Sequence, residues 1–367
     1  MKYFLSSPIV EQKDLKIVKN ILKKGILYPD IEIENKFSKS VGKYSGYKYN
    51  LPLSSGTAAL HLALKTLEIK KNDFVIVCSM NFIGGVAPIL YLNAKPIFVD
   101  IDDTFTISYN EIKKIITQTK ISVKAVILTD LYGQPSKEEE IVKLCNSYNI
   151  KVISDSAESF GSNHHTKIKY NSIVKIFSFN SNKIITGGSG GCFSTNNIKL
   201  FNKAFKLSRH SKENFPYYHH SEIGYNYRLN SLASGLIISQ INSLKKRLNS
   251  KKKLLKSYQK CLINNFKYNL PKFNFNKDNS NWLIVLEINN FSSYNNSNQL
   301  IKYLHSHKIE ARHLWKPMHL QPVFKGKYKY FGSNYDKRKF KNCICLPSNI
   351  SLKMRDIKYI INVINNF

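Results

Sequence analysis

The chain has no run of about 18 apolar residues, so no transmembrane helix is expected. Its first residues, Met1-Lys2-Tyr3-Phe4-Leu5-Ser6-Ser7-Pro8, hold too short an apolar stretch for a secretion signal. None of the six cysteines (Cys78, Cys145, Cys192, Cys261, Cys343, Cys345) stands in a Cys-x-x-Cys spacing. No metal site is expected, and the cysteines read as reduced, mostly buried thiols of a cytoplasmic protein. Acidic residues are scarce, 24 Asp and Glu against 56 Lys and Arg, for a net charge of +32. Such a balance suits nucleic acid, a membrane surface or phosphorylated substrates. The lysines are scattered, however, beside abundant Asn and Ile, as a coding bias would leave them. The clusters Lys245-Lys246-Arg247 and Lys251-Lys252-Lys253 fall in a helical pattern and read as a solvated face. No nucleic-acid partner is expected.

The chain's 367 residues fit two domains, and 43% hydrophobic residues suffice for a sizeable core. Short β-rich runs alternate with helical patterns over the first two thirds. The pattern predicts strands over Phe74–Ser79, Pro96–Ile101, Ala125–Asp130, Lys151–Asp155 and Val174–Phe179. It predicts helices over Thr57–Glu68, Ser136–Tyr148 and Ile198–Leu207. Continuous apolar strands between amphipathic helices imply an α/β fold with a mostly parallel sheet flanked by helices. A long helical stretch from Ser231 to Asn264 follows, read as a bridge between domains. Beyond Pro271 the pattern is a smaller α+β domain: strand Trp282–Ile288, helix Ser297–His307, strand Glu310–His313 and a last helix near Lys353–Ile364.

Ligands of such sheets bind beyond the carboxyl ends of the strands, where Asp155 falls. Asp155 ends the run Lys151-Val152-Ile153-Ser154-Asp155, and Lys183 follows in Ser178-Phe179-Asn180-Ser181-Asn182-Lys183. Pyridoxal phosphate chemistry requires a carboxylate to keep the pyridine nitrogen protonated and a lysine to form the Schiff base. Upstream, Ser54-Ser55-Gly56-Thr57 opens a helix whose free N–H groups suit a phosphate. Ser178 offers a second phosphate hydroxyl, Phe82 a flat surface for stacking, and Glu158 a carboxylate at helical spacing from Asp155. Gly187, Gly188, Gly190 and Gly191 allow tight turns beside a ligand. Each residue also has an ordinary reading: Ser55 or Thr57 as helix cap, Phe82 as core, Asp155 as cap, Lys183 as solvated. The segments Gly224-Tyr225-Asn226-Tyr227-Arg228-Leu229 and Trp315-Lys316-Pro317-Met318-His319-Leu320 are either helix-entry and packing turns or substrate loops.

Together these segments, with Leu131-Tyr132-Gly133-Gln134 and Asp155-Ser156-Ala157-Glu158-Ser159-Phe160-Gly161, resemble the DegT-type family of pyridoxal phosphate-dependent sugar-nucleotide aminotransferases. The resemblance runs nearly end to end. Its texture is closest to 4-aminotransferases acting on UDP-4-keto-6-deoxy-N-acetylhexosamines. It implies a fold-type I aminotransferase, with a large cofactor-binding domain over 1–245 and a bridging helix plus small domain over 246–367. It implies pyridoxal 5'-phosphate as cofactor, Lys183 as the Schiff-base lysine and Asp155 as the pyridinium partner. Phe82 would stack on the ring, Gly56, Thr57 and Ser178 would hold the phosphate, and Glu158 would stand at the cofactor's side. Asn226, toward the cofactor, and Arg228, toward the substrate, would reach into a neighbouring subunit's site, which implies a homodimer with shared sites. Trp315 and His319 would line the sugar-nucleotide pocket. Tyr28, in the N-terminal arm where the family carries a Trp, would contact the substrate. The expected reaction moves an amino group from L-glutamate to the C4 ketone of a nucleotide-linked 4-keto-6-deoxy sugar, for cell-surface polysaccharide or glycan synthesis. A 3-aminotransferase would use the same residues. A dehydratase of this fold has His at the lysine position, against which Lys183 argues. A basic nucleic-acid-binding or regulatory protein on the same scaffold is the alternative of another class.

Overall fold

A computed structural model of the chain describes residues 1–162, 170–289 and 294–367. The strands are β1 (Tyr49–Leu53), β2 (Phe74–Cys78), β3 (Lys95–Val99), β4 (Val123–Thr129), β5 (Lys151–Asp155), β6 (Val174–Ser178), β7 (Gly191–Thr195), β8 (Tyr268–Asn269), β9 (Ile284–Ile288), β10 (Arg312–His313), β11 (Tyr330–Phe331) and β12 (Cys343–Leu346). The helices are α1 (Gln12–Lys23), α2 (Ile31–Ser45), α3 (Gly56–Thr66), α4 (Ala87–Tyr91), α5 (Tyr109–Gln118), α6 (Glu138–Ser147), α7 (Ile198–Leu207), α8 (Ser231–Ile241), α9 (Leu244–Cys261), α10 (Tyr294–Ser306), α11 (Tyr335–Asn342) and α12 (Met354–Asn365).

A large sheet runs in the order β1-β7-β6-β5-β4-β2-β3-β11. Its strands from β6 to β11 pair in parallel, and β7 is antiparallel to both neighbours. In β2, Ile76 and Cys78 pack into one core while Val75 and Val77 pack into another; β4 divides its side chains the same way. Both faces of the sheet are therefore buried, which is why these strands read as unbroken apolar runs. The second sheet, β10-β12-β9-β8, is antiparallel and packs with α9, α10 and α12 around a third core.

All five strands predicted for the first two thirds form, with ends shifted by a residue or two. β1 and β7 escape the pattern: β1 carries Pro52, tolerated because β1 is an edge strand, and β7 begins on a glycine. The continuous Ser231–Asn264 helix is a misreading. Asn242 and Ser243 interrupt it, bonding back to Ser239 O and Gln240 O, and the Ser243 hydroxyl donates to Glu11 beside α1. The strand expected over Glu310–His313 shrinks to β10, because Glu310 N bonds instead to Tyr3 O (2.8 Å). The basic clusters of α9 are not wholly solvated either. Arg247 and Lys251, one helical turn apart, are buried. Arg247 donates to Ile184 O (3.3 Å) and Ile9 O (2.9 Å), and Lys251 to Trp282 O (2.8 Å) and Ser348 O. These bonds tie α9 to the N-terminal tail and to the loop that carries Lys183.

Candidate active site

The parallel strands β4, β5 and β6 stop side by side, with Thr129 paired to Asp155 and Asp155 to Ile176. Beyond their ends lies a cavity of about 270 Å³. Asp130, Asp155 and Ser178 face it from the strand ends, Gly56 and Thr57 from the start of α3, and Lys183 from the loop after β6. Phe82, Glu158, Trp282 and Trp315 complete its walls.

The charged groups are buried and close together. Asp155 is 5% exposed, and its Oδ1 accepts a hydrogen bond from Ala157 N (3.2 Å). Burial, reinforced by Glu158, pushes the Asp155 carboxyl up to about 7, against the opposing pull of the Ala157 N–H and Lys183. Glu158 accepts from Tyr132 N (2.8 Å) and from the Trp315 indole (3.1 Å), and burial raises its carboxyl too. The Lys183 Nζ lies 3.8 Å from Glu158 Oε1 and 3.9 Å from the Trp282 ring centroid. Burial lowers its ammonium below the ordinary lysine value, although Glu158 and Asp155 pull the other way. Two carboxylates and one amine thus compete for protons in a water-poor space.

At the other end of the cavity the backbone makes the site. Ser55 caps α3, its hydroxyl accepting from Ala58 N (3.0 Å). The N–H groups of Gly56 and Thr57 belong to the first turn, which has no helical acceptor for them. Gly191 lets β7 lie against this turn: a Cβ there would meet Ser55 O at 2.2 Å and Gly56 N at 2.5 Å. Neither atom can yield without moving the turn. Gly191→Ala is expected to weaken binding of a phosphate-bearing cofactor by about tenfold or more and to cost roughly 1–3 kcal/mol of stability. Fluorescence titration of the apoprotein and urea melts check both.

Eight of the residues singled out from the sequence meet here: Gly56, Thr57, Phe82, Asp155, Glu158, Ser178, Lys183 and Trp315. The other four do not line the cavity of their own chain. Asn226 is exposed and bridges Arg209. Arg228 donates to Pro29 O (2.8 Å) and Glu34 Oε1 (3.1 Å), and Tyr28 is 63% exposed on the neighbouring arm. His319 stacks on Tyr330 with centroids 3.8 Å apart, its Nδ1 3.7 Å from Asp336 Oδ2, and burial lowers its imidazole to about 4. It is a packed, neutral ring away from the cavity. Sequence reasoning missed Trp282 and Asp130. Trp282 looked like the first residue of a strand. Asp130 carried the same signal as Asp155, an acid ending an apolar run.

The donor set fits pyridoxal phosphate. A carboxylate raised by burial suits a pyridinium nitrogen, a lysine amine lies within the same walls, and the α3 turn is open to a phosphate because residues 56 and 191 are glycines. The comparisons agree. EpsN of Bacillus subtilis, which carries the name of a pyridoxal phosphate-dependent aminotransferase, is 34% identical over 363 residues, covering 96% of this chain and 92% of its own. The UDP-4-amino-4,6-dideoxy-N-acetyl-beta-L-altrosamine transaminase of Campylobacter jejuni is 31% identical over 65% of this chain and 64% of its own. PseC of Helicobacter pylori, an aminotransferase of pseudaminic acid biosynthesis, superimposes with a TM-score of 0.90 at 22% identity, over 99% of this chain and 98% of its own. The profile of the DegT/DnrJ/EryC1/StrS aminotransferase family matches residues 8–365, and the chain belongs to that family of pyridoxal phosphate-dependent sugar aminotransferases.

Proposed function

We propose that the protein transfers an amino group from L-glutamate to the C4 ketone of a nucleotide-linked 4-keto-6-deoxy sugar, for cell-surface polysaccharide or glycan synthesis. The observation that carries the reading is the convergence of Asp155, Lys183 and the α3 turn on one cavity. When bound, pyridoxal phosphate supplies a carbonyl that accepts the amine and a ring that withdraws electrons. Asp155, as a carboxylate, would pair with the ring nitrogen and keep it protonated. Gly56, Thr57 and Ser178 hold the phosphate. Lys183, with its amine lowered by burial, takes the proton from the donor's Cα and later delivers one to C4 of the sugar. Glu158 orients that amine across 3.8 Å. Phe82 and Trp315, with ring centroids 5.4 Å apart, shield one side of the cavity from water. The amino group leaves L-glutamate as 2-oxoglutarate forms, and the 4-keto sugar becomes a 4-amino sugar.

The C4 position is supported by the motif texture and by the relative named for a 4-amino-4,6-dideoxy sugar. A panel of UDP-, GDP- and dTDP-linked 4-keto and 3-keto sugars with ¹⁵N-glutamate, read by mass spectrometry, tests it. Label at C4 of a 6-deoxy sugar is the expected result. Turnover confined to 3-keto substrates would overturn the C4 assignment and leave the aminotransferase chemistry standing. The six free thiols support a reducing, cytoplasmic setting.

A homodimer with shared sites belongs to the same proposal. Tyr28, Asn226 and Arg228 lie on one seam, where Ser231 Oγ donates to Tyr28 O and Arg228 to Pro29 O. In the segment that leads to Asn226, Tyr218 and Ile223 are 82% and 85% exposed, as residues awaiting a partner would be. Arg228→Ala and Lys183→Ala chains, each inactive, are expected to recover activity when mixed, because one site of each hybrid carries neither change. Verified hybrids without activity, or a monomer by light scattering, would place each site within one chain.

A further inference from the structure

The most one-signed stretch of the chain contains its most exposed phenylalanine. From Asn242 to Lys277 there are eleven Lys and Arg and no Asp or Glu. Arg247 and Lys251 are buried, and the other nine are exposed. At the end of α9, Asn264 turns the chain with a left-handed conformation (φ 61°). Ile263 and Phe266 stand on either side of that turn, 73% and 89% exposed.

The tip is held firmly. Asn265 Oδ1 accepts from Lys267 N (3.0 Å) and Tyr268 N (2.9 Å), and its Nδ2 donates to Asn365 Oδ1 (2.9 Å). Asn289 Nδ2 donates to Phe266 O (3.1 Å). Behind the tip an open groove of about 550 Å³ is lined by Leu262, Ile263, Phe266, Tyr268 and Phe275, with Lys256 and Lys260 along it. Tyr268 is 1% exposed, and its hydroxyl has no hydrogen-bond partner among the described residues. The acids packed against this end are engaged: Asp356 accepts from Lys353 N (2.8 Å), and Glu287 pairs with Lys339. The groove shares no lining residue with the active-site cavity.

We propose that this end of the molecule docks on an anionic lipid bilayer. Ile263 and Phe266 enter the boundary between headgroups and acyl chains, and Lys256 and Lys260, with their stems along the groove, face the acidic headgroups. Charge complementarity selects the partner. Exposed lysines beside acids that are already engaged repel a second copy of the same face, and the branched aliphatic Ile263 beside Phe266 suits acyl chains better than stacked bases. No helix among the described residues is long and apolar enough to cross a membrane, so the contact is a surface one.

Co-sedimentation of the full chain with vesicles tests the proposal. Vesicles of phosphatidylcholine with one third phosphatidylglycerol are expected to bind it, at least about tenfold more tightly than phosphatidylcholine alone, with binding that weakens as salt rises. The double variant Ile263→Ser/Phe266→Ser is expected to lose about tenfold or more of that affinity while amino transfer in solution is unchanged. Phe266→Trp is expected to report entry by a blue shift on acidic vesicles only. Tyr148→Ser, at a site 50% exposed elsewhere, is expected to change nothing. Four results overturn the proposal: no binding by the wild type, equal binding by the double variant, a changed oligomeric state in the double variant, or Phe266-dependent binding to single-stranded RNA without vesicle binding.

Discussion

Lys183→Ala is expected to fold normally and to lose at least about 1,000-fold in turnover, because both proton transfers depend on one amine. Lys183 lies among Glu158, Trp282 and Asp155, and no second lysine lines the cavity among the described residues. Arg247 and Lys251 lie beneath its loop but are bonded to backbone carbonyls. The removal takes an ionic partner from Glu158, but Glu158 keeps its hydrogen bonds from Tyr132 N and the Trp315 indole, so circular dichroism and thermal melts are expected to stay near the wild type. Single-turnover measurement of each half-reaction shows whether both slow together. Borohydride reduction of the loaded wild type is expected to fix the cofactor to the peptide that contains Lys183. Attachment elsewhere, or a variant within about tenfold of the wild-type rate, would move the proton transfer to another group, with Glu158 the nearest.

Asp155→Asn is expected to bind the cofactor yet react about 100- to 1,000-fold more slowly, the loss that follows when one member of a buried charge pair is removed. An amide cannot hold the ring nitrogen protonated by charge, so both half-reactions weaken. The apoprotein gives an independent check. Burial raises the Asp155 carboxyl from 3.8 to about 7. Between those values the unfolded chain has released this proton while the folded chain retains it. Asp155 therefore lowers stability as pH rises through this window, by up to about 4 kcal/mol above it. The Asn variant has no such titration. Its apoprotein is expected to match or fall below the wild type near pH 4 and to exceed it at pH 7 and above. Urea melts at several pH values measure the difference. A variant less stable at neutral pH, with near-normal rates, would make Asp155 a structural cap.

What was legible in the sequence was local. β2 to β6 showed themselves because parallel strands buried on both faces carry unbroken apolar runs. The ends of those runs located Asp155 and Ser178, and a capped helix start located Gly56 and Thr57. These residues lie close to the elements that place them, so their order along the chain was enough. The motif resemblance then bound them to one chemistry and to one family.

What stayed hidden depends on partners distant in sequence. Trp282 reaches the cavity because Lys251, buried on α9, holds its carbonyl and Asn182 accepts its indole N–H (2.7 Å). Trp315 closes the wall because Glu158 and Tyr132, far upstream, take its two N–H groups. His319, four residues on, turns instead toward Tyr330 and Asp336. The break between α8 and α9 follows from a contact with α1, not from any proline or glycine. Even the charge of the basic clusters divides only in three dimensions, with Arg247 and Lys251 inside and their neighbours in water. Composition and periodicity determined the α/β architecture and put Asp155 at a strand end and Lys183 in the loop after β6. The tertiary structure alone decided which aromatic rings wall the site and which lysines face solvent, because burial and long-range hydrogen bonds are properties of packing rather than of neighbouring residues.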